Sequence, residues 1–168
     1  MKKIVSSILA LALVLALAAC GAVATLPTDE NDVPQIPNPW QEVDTTADAK
    51  AILGYDIAAP ESVAGLSQTA VRVLSDGEKI LEIYYGGGTE NADYASIRKA
   101  PGTEDISGDY TDYAVVKDVT VGDRTVTEKG DGTNVFSAVW TDNGYFYAFF
   151  STVGVSADDF AAIVEAIA

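Results

Sequence analysis

Glu104, Asp105, Asp109 and Asp112 bring four carboxylates together in the stretch EDISGDYTDY, with Tyr110 and Tyr113 among them. Calcium binding, carboxylate catalysis and plain turn formation all use such a cluster. Calcium takes ~6–8 oxygen ligands, and the EF-hand loop supplies them at alternating positions with glycine sixth and glutamate twelfth. Counted from Asp105, the sixth residue is Tyr110 and the twelfth is Val116, so that loop is absent. A looser site using Asp105, Asp109 and backbone carbonyls stays open. In the competing reading Asp105 and Asp109 accept backbone N–H groups in turns while Tyr110 or Tyr113 packs against a sheet. Arg98 and Lys99 lie just upstream and are placed to pair with the acids once the chain reverses. Asp105, Asp109, Asp112, Arg98 and Tyr110 are therefore the candidate rim for a ligand or metal.

The chain of 168 residues contains no histidine and one cysteine. That removes imidazole acid–base chemistry and the Ser-His-Asp triad, and it disfavours zinc and iron sites. Glycoside hydrolysis needs two carboxyl groups ~5–9 Å apart across a sugar. With 25 acidic residues present such a pair is easily drawn, so it carries little weight. No catalytic residue is assigned, and no cofactor or resident metal is expected.

Gly86-Gly87-Gly88 follows a strand pattern but lacks the lysine and the downstream helix of a phosphate loop, so it reads as a strand exit. The most aromatic segment runs from Phe136 to Phe150. Alternation puts Tyr145 and Tyr147 on one side of the last strand and Phe146 and Phe150 on the other. Such a strand is either covered on both faces or lines a groove; in the second case Trp140, Tyr145 and Tyr147 are the groove residues.

The elements that position these groups follow from periodicity. Asp44 or Thr45 caps a short helix to about Leu53, closed by Gly54, with Val43, Ala47, Ala51 and Ile52 as its apolar side. Seven strand patterns follow, at 69–75, 78–87, 94–100, 112–121, 124–129, 134–141 and 144–151, the first two joined by a turn at Asp76-Gly77. Short turns between successive strands imply antiparallel pairing. Ser156 then caps a helix whose stripe is Phe160, Ile163, Val164 and Ile167. The expected fold is α+β: a curved antiparallel meander of about seven strands with one N-terminal and one C-terminal helix against it.

The N-terminus speaks to location. Lys2 and Lys3 precede an apolar run from Ile4 to Ala19, the pattern of a secretory signal. At ~1.5 Å per residue that run spans roughly 24 Å as a helix, short of a ~30 Å hydrocarbon core. Leu17-Ala18-Ala19-Cys20-Gly21 resembles the lipobox of bacterial lipoproteins, which implies lipidation at Cys20. The resulting expectation is a signal peptide over 1–19, a lipidated Cys20 with a proline-rich linker to 39, and one domain over 40–168. The alternative is an ordinary signal peptide with Cys20 incidental. The partner at the anchor is membrane lipid, through a diacylglycerol-type thioether with further acylation such as palmitate. The location is then the extracytoplasmic face of the cell membrane. Loss of Lys2 and Lys3 would take the net charge from −15 to −17. Such acidity argues against nucleic acid as a partner and suits solubility beside a membrane.

SIRKAPGTEDISGDYTDY, AVWTDNGYFYAFFSTVGVS and ADAKAILGYDIAAPESVAG resemble an uncharacterised extracytoplasmic domain family of Gram-positive, Firmicute lipoproteins. The resemblance covers most of residues 40–168 and implies a curved antiparallel sheet outside the membrane, with no known reaction. Three functions follow as expectations. The first is a non-enzymatic binding or sensor module for a peptide, lipid or envelope polymer, using the aromatic sheet face and a rim at 86–94 and 104–113. The second is an accessory subunit of an envelope complex. The third is a carboxylate-based hydrolase.

Overall fold

The computed structural model describes residues 38–167; the leader, Cys20 and most of the linker lie outside the described residues. The elements in chain order are β1 (Gln41–Val43), α1 (Thr46–Leu53), β2 (Ser62–Val63), β3 (Leu66–Leu74), β4 (Ile80–Gly86), β5 (Tyr94–Pro101), β6 (Val115–Val121), β7 (Arg124–Gly130), β8 (Asn134–Asp142), β9 (Tyr145–Ser156) and α2 (Ala157–Ala166). All seven predicted strands are present, and β1 and β2 are added to them. The result is a curved, unclosed antiparallel sheet with both helices packed against it.

The strand order is β1-β3-β4-β5-β9-β8-β7-β6, with β2 beside β3. The sheet is therefore two meanders, β3-β4-β5 and β6-β7-β8-β9, joined where β5 pairs with β9. Only the connection at 102–114 separates them, and it carries the acidic stretch from the middle of the sheet to its far edge.

Turn chemistry sets the registers. Asn143 and Gly144 both have positive φ, at 50° and 81°, which suits a two-residue hairpin loop and pairs Asp142 with Tyr145. The β3–β4 connection differs from expectation. Leu74 pairs with Ile80, so the loop is 75–79, with positive φ at Gly77 and Lys79. A two-residue loop at Asp76-Gly77 would have slipped the pairing by one residue and reversed the faces.

One face of the sheet is apolar and covered. Val73, Leu81, Ile83, Ile97, Phe149 and Val126 are buried there with Ala49 and Leu53 of α1 and Phe160, Ile163, Val164 and Ile167 from α2 and its C-cap. The α2 stripe is as predicted, and Ser156 accepts from the Asp159 N–H as its N-cap. Thr45 caps α1 and Gly54 ends it at φ 89°, but the buried side is Ala49 and Leu53. Ala47, Ala51 and Ile52 face water, because a two-turn helix is oriented by the sheet it meets and not by its own weak stripe. Arg124 Nη1 donates to Val164 O at 2.6 Å and Arg124 Nε to Asp142 Oδ2 at 2.9 Å. A cation thus meets the negative end of α2.

Candidate functional site

The face away from the helices carries a different set. Arg72 on β3, Glu82 on β4 and Arg98 on β5 are direct cross-strand partners, Arg72 with Glu82 and Glu82 with Arg98. Arg98 Nε donates to Glu82 Oε2 at 2.8 Å, and Arg72 Nη1 lies 3.5 Å from Glu82 Oε1. The Glu82 side chain is only 4% exposed, whereas Arg72 and Arg98 keep 32% and 24% of theirs in solvent. Two cations share one buried carboxylate. Arg98 also donates through Nη1 to the carbonyls of Ile106 and Ser107 at 3.1 and 2.8 Å, fastening the 102–114 connection across the sheet. Ile106 completes that attachment in a small core with Ile80, Ala100, Phe146 and Ala148.

Aromatic rings surround the ion triad. Tyr84 and Tyr94 stack at 5.3 Å with an interplanar angle of 14°, and Tyr94 meets Phe150 at 5.5 Å. The Arg72 guanidinium lies 4.2 Å from the Tyr84 centroid and that of Arg98 lies 5.3 Å from Trp40, both within cation–π range. Burial, and then the neighbouring Tyr94, push the Tyr84 phenol above its ordinary value, so it is a neutral donor at neutral pH. These groups line an open cleft of about 520 Å³, with Ser96 on its floor and Ser107 to Thr111 along one side. Gly87 belongs to its architecture: φ is 73°, and a Cβ there would stand 2.8 Å from Tyr84 Cε1. Gly87 lets the turn pass close to the Tyr84 ring, since no side chain at that position would fit between turn and ring.

Arg98, Asp109 and Tyr110 from the predicted rim line the cleft. Tyr110 is 96% exposed at its lip. Asp109 accepts from the Thr111 N–H at 3.1 Å and the Tyr113 hydroxyl at 2.9 Å. Burial raises the Asp109 pKa, but the nearby Ser137 hydroxyl and the hydrogen bonds from Thr111 and Tyr113 outweigh that effect and hold the carboxyl below its usual range. Asp105 accepts from the Ser107 N–H at 2.8 Å, the turn role of the competing reading. Asp105 and Asp112 are exposed and outside the cleft lining. Among the described residues no group of three acidic or thiol side chains is gathered to hold a metal ion.

The other predicted groove is core. Trp140 and Tyr147 stack at 5.2 Å and 2° on the covered face, each 3% exposed. Tyr145 is half-buried against Tyr55 at 5.2 Å. Beside them Lys99 is buried; its ammonium donates to Asp56 O at 2.8 Å and lies 4.7 Å from the Tyr145 ring. Burial pulls its pKa down, with Asp56 and Asp142 opposing. Sequence reasoning missed Arg72, Glu82, Tyr84, Ser96 and Phe150 as site residues. The signal for Arg72 and Glu82 was a charge on the same side of three successive strand patterns, VRV, LEI and IRK, visible only once the register is known.

No model of a known protein family, no curated protein sequence and no solved structure matches the chain.

Proposed function

We propose that the protein is a non-enzymatic binding or sensor module, tethered by lipid at Cys20 to the extracytoplasmic face of the cell membrane and presenting the Arg72–Glu82–Arg98 cleft to an envelope ligand. The observation that carries the binding part is the cleft itself: half-exposed aromatic rings and partly solvated guanidinium groups line the face that both helices leave open. A concavity of several hundred cubic ångströms mixing apolar walls with a few fixed polar groups is what ligand sites require. Support for the anchor and the location is the lipobox-like Leu17–Gly21 after an apolar run. The resemblance to Gram-positive lipoprotein domains belongs to the same proposal.

A hydrolase is less well supported by the cleft. Both Glu82 oxygens face guanidinium groups, and Asp109 is held ionised, so Asp109 has no proton to give a leaving group near neutral pH. The accessory-subunit reading draws on exposed apolar side chains. Those most exposed, Ile52, Tyr110 and Val116, lie on α1, the 102–114 connection and β6, scattered over three elements.

Co-sedimentation of the mature protein with isolated envelope polymer tests the binding reading. The wild type is expected in the pellet. A Tyr84→Ser, Tyr94→Ser double variant of unchanged melting temperature is expected in the supernatant. Equal sedimentation of the two would refute the cleft as the binding site.

A further inference from the structure

We infer that the ligand class is an uncharged glycan: a pyranose ring lies against Tyr94 and Phe150, with Tyr84 stacked behind Tyr94, and its hydroxyl rim is hydrogen-bonded by the Arg72 guanidinium and the Ser96 hydroxyl. This rests on the binding reading above and adds the chemistry of what is bound.

Charge is the first argument. The ionisable side chains lining the cleft at neutral pH are Arg72 and Arg98 against Glu82 and Asp109, which cancel, while the whole chain carries −15. An anionic polymer would meet no local excess of positive charge and would be repelled by the rest of the surface. A cationic ligand would find both carboxylates engaged, Glu82 by two arginines and Asp109 by Thr111 and Tyr113.

Spare hydrogen-bonding capacity is the second. Among the described residues, Arg72 contacts Glu82 at 3.5 Å and the Tyr84 ring, leaving most of its five N–H donors for a ligand. Arg98, by contrast, is already bonded to Glu82 and two carbonyls. Sugar hydroxyls accept from such donors without needing charge.

Shape and backbone complete the case. A pyranose has an apolar C–H face and a polar edge, matching rings on the wall and polar groups on the floor. A peptide binding by strand addition would need a free sheet edge. The cleft instead lies over β4, β5 and β9, which are interior strands paired on both sides.

The mature chain is tested on an immobilised array of uncharged and acidic oligosaccharides, at low and high salt between which the Debye length falls from ~30 Å to ~10 Å. Uncharged glycans are expected to bind with little salt dependence. Arg72→Gln and Tyr94→Ala are each expected to weaken binding about tenfold, while Tyr94→Phe, which keeps the ring, retains it; a melting curve verifies that each variant is folded. Binding only to acidic glycans, or binding that collapses with salt, overturns the uncharged class while leaving the cleft as a site if Tyr94→Ala still weakens it. Absence of any glycan binding alongside persistent, cleft-dependent envelope sedimentation overturns the glycan and spares the binding reading. Loss of both signals overturns both.

Discussion

Glu82 and Arg98 face each other directly across β4 and β5, with Arg98 Nε 2.8 Å from Glu82 Oε2. Arg72 stands opposite Glu82 on its other side. A carboxylate between two guanidinium groups holds three strands in register and forms the floor of the cleft. The same arginine then binds the carbonyls of Ile106 and Ser107, so the connection that walls the cleft is tied to the strand that floors it.

Glu82→Gln should destabilise the protein substantially, because it leaves two cations without their buried counter-ion. Breaking a fully buried pair costs ~3–5 kcal/mol. Partial solvation of Arg72 and Arg98 reduces that to about 2–3 kcal/mol. Urea denaturation checks this through a lower midpoint at unchanged slope. A loss below about 0.5 kcal/mol, the usual range for a surface substitution, would mean that the triad is not structural.

Acid stability should depend on Asp109. Its carboxyl has a folded-state pKa below the ordinary value, so its contribution is present above ~3.9 and is lost as pH falls through the lower folded-state value. Thermal melts of the wild type should therefore decline through that window more steeply than those of Asp109→Asn. Parallel curves would contradict the assignment.

Gly87→Ala and Gly88→Ala separate backbone strain from ring displacement. Both glycines have positive φ, 73° and 93°, but only a Cβ at 87 would strike Tyr84, since nothing lies within 4 Å of one at 88. Each change should cost roughly 1–2 kcal/mol for the left-handed backbone. Only Gly87→Ala should also reduce glycan binding, a difference visible on the same array.

Cys20→Ser should move the protein from the membrane fraction to the soluble fraction when the leader is cleaved by another route. One acyl chain gives marginal membrane affinity and several give a stable anchor. Mass spectrometry of the mature wild type should show an acylated N-terminal cysteine; a bare thiol would remove the tether.

Patterns of two and 3.6 residues were enough to reveal seven strands and the α2 stripe, because burial on one face imposes that alternation locally, while residue type marked the helix ends at Gly54 and Ser156. The absence of histidine likewise limited the available chemistry before any fold was known. What alternation cannot convey is which strand lies beside which. Arg72, Glu82 and Arg98 are separated by ten and sixteen positions, and they meet because a five-residue loop pairs Leu74 with Ile80 and the next connection pairs Gly86 with Tyr94. Trp140 and Tyr147 on one side, Tyr84 and Phe150 on the other, look equally aromatic in sequence. The helices pack on the face that holds the first pair and leave the face of the second open to water, a choice made by packing between distant segments, so the tertiary structure alone decided where the cleft is.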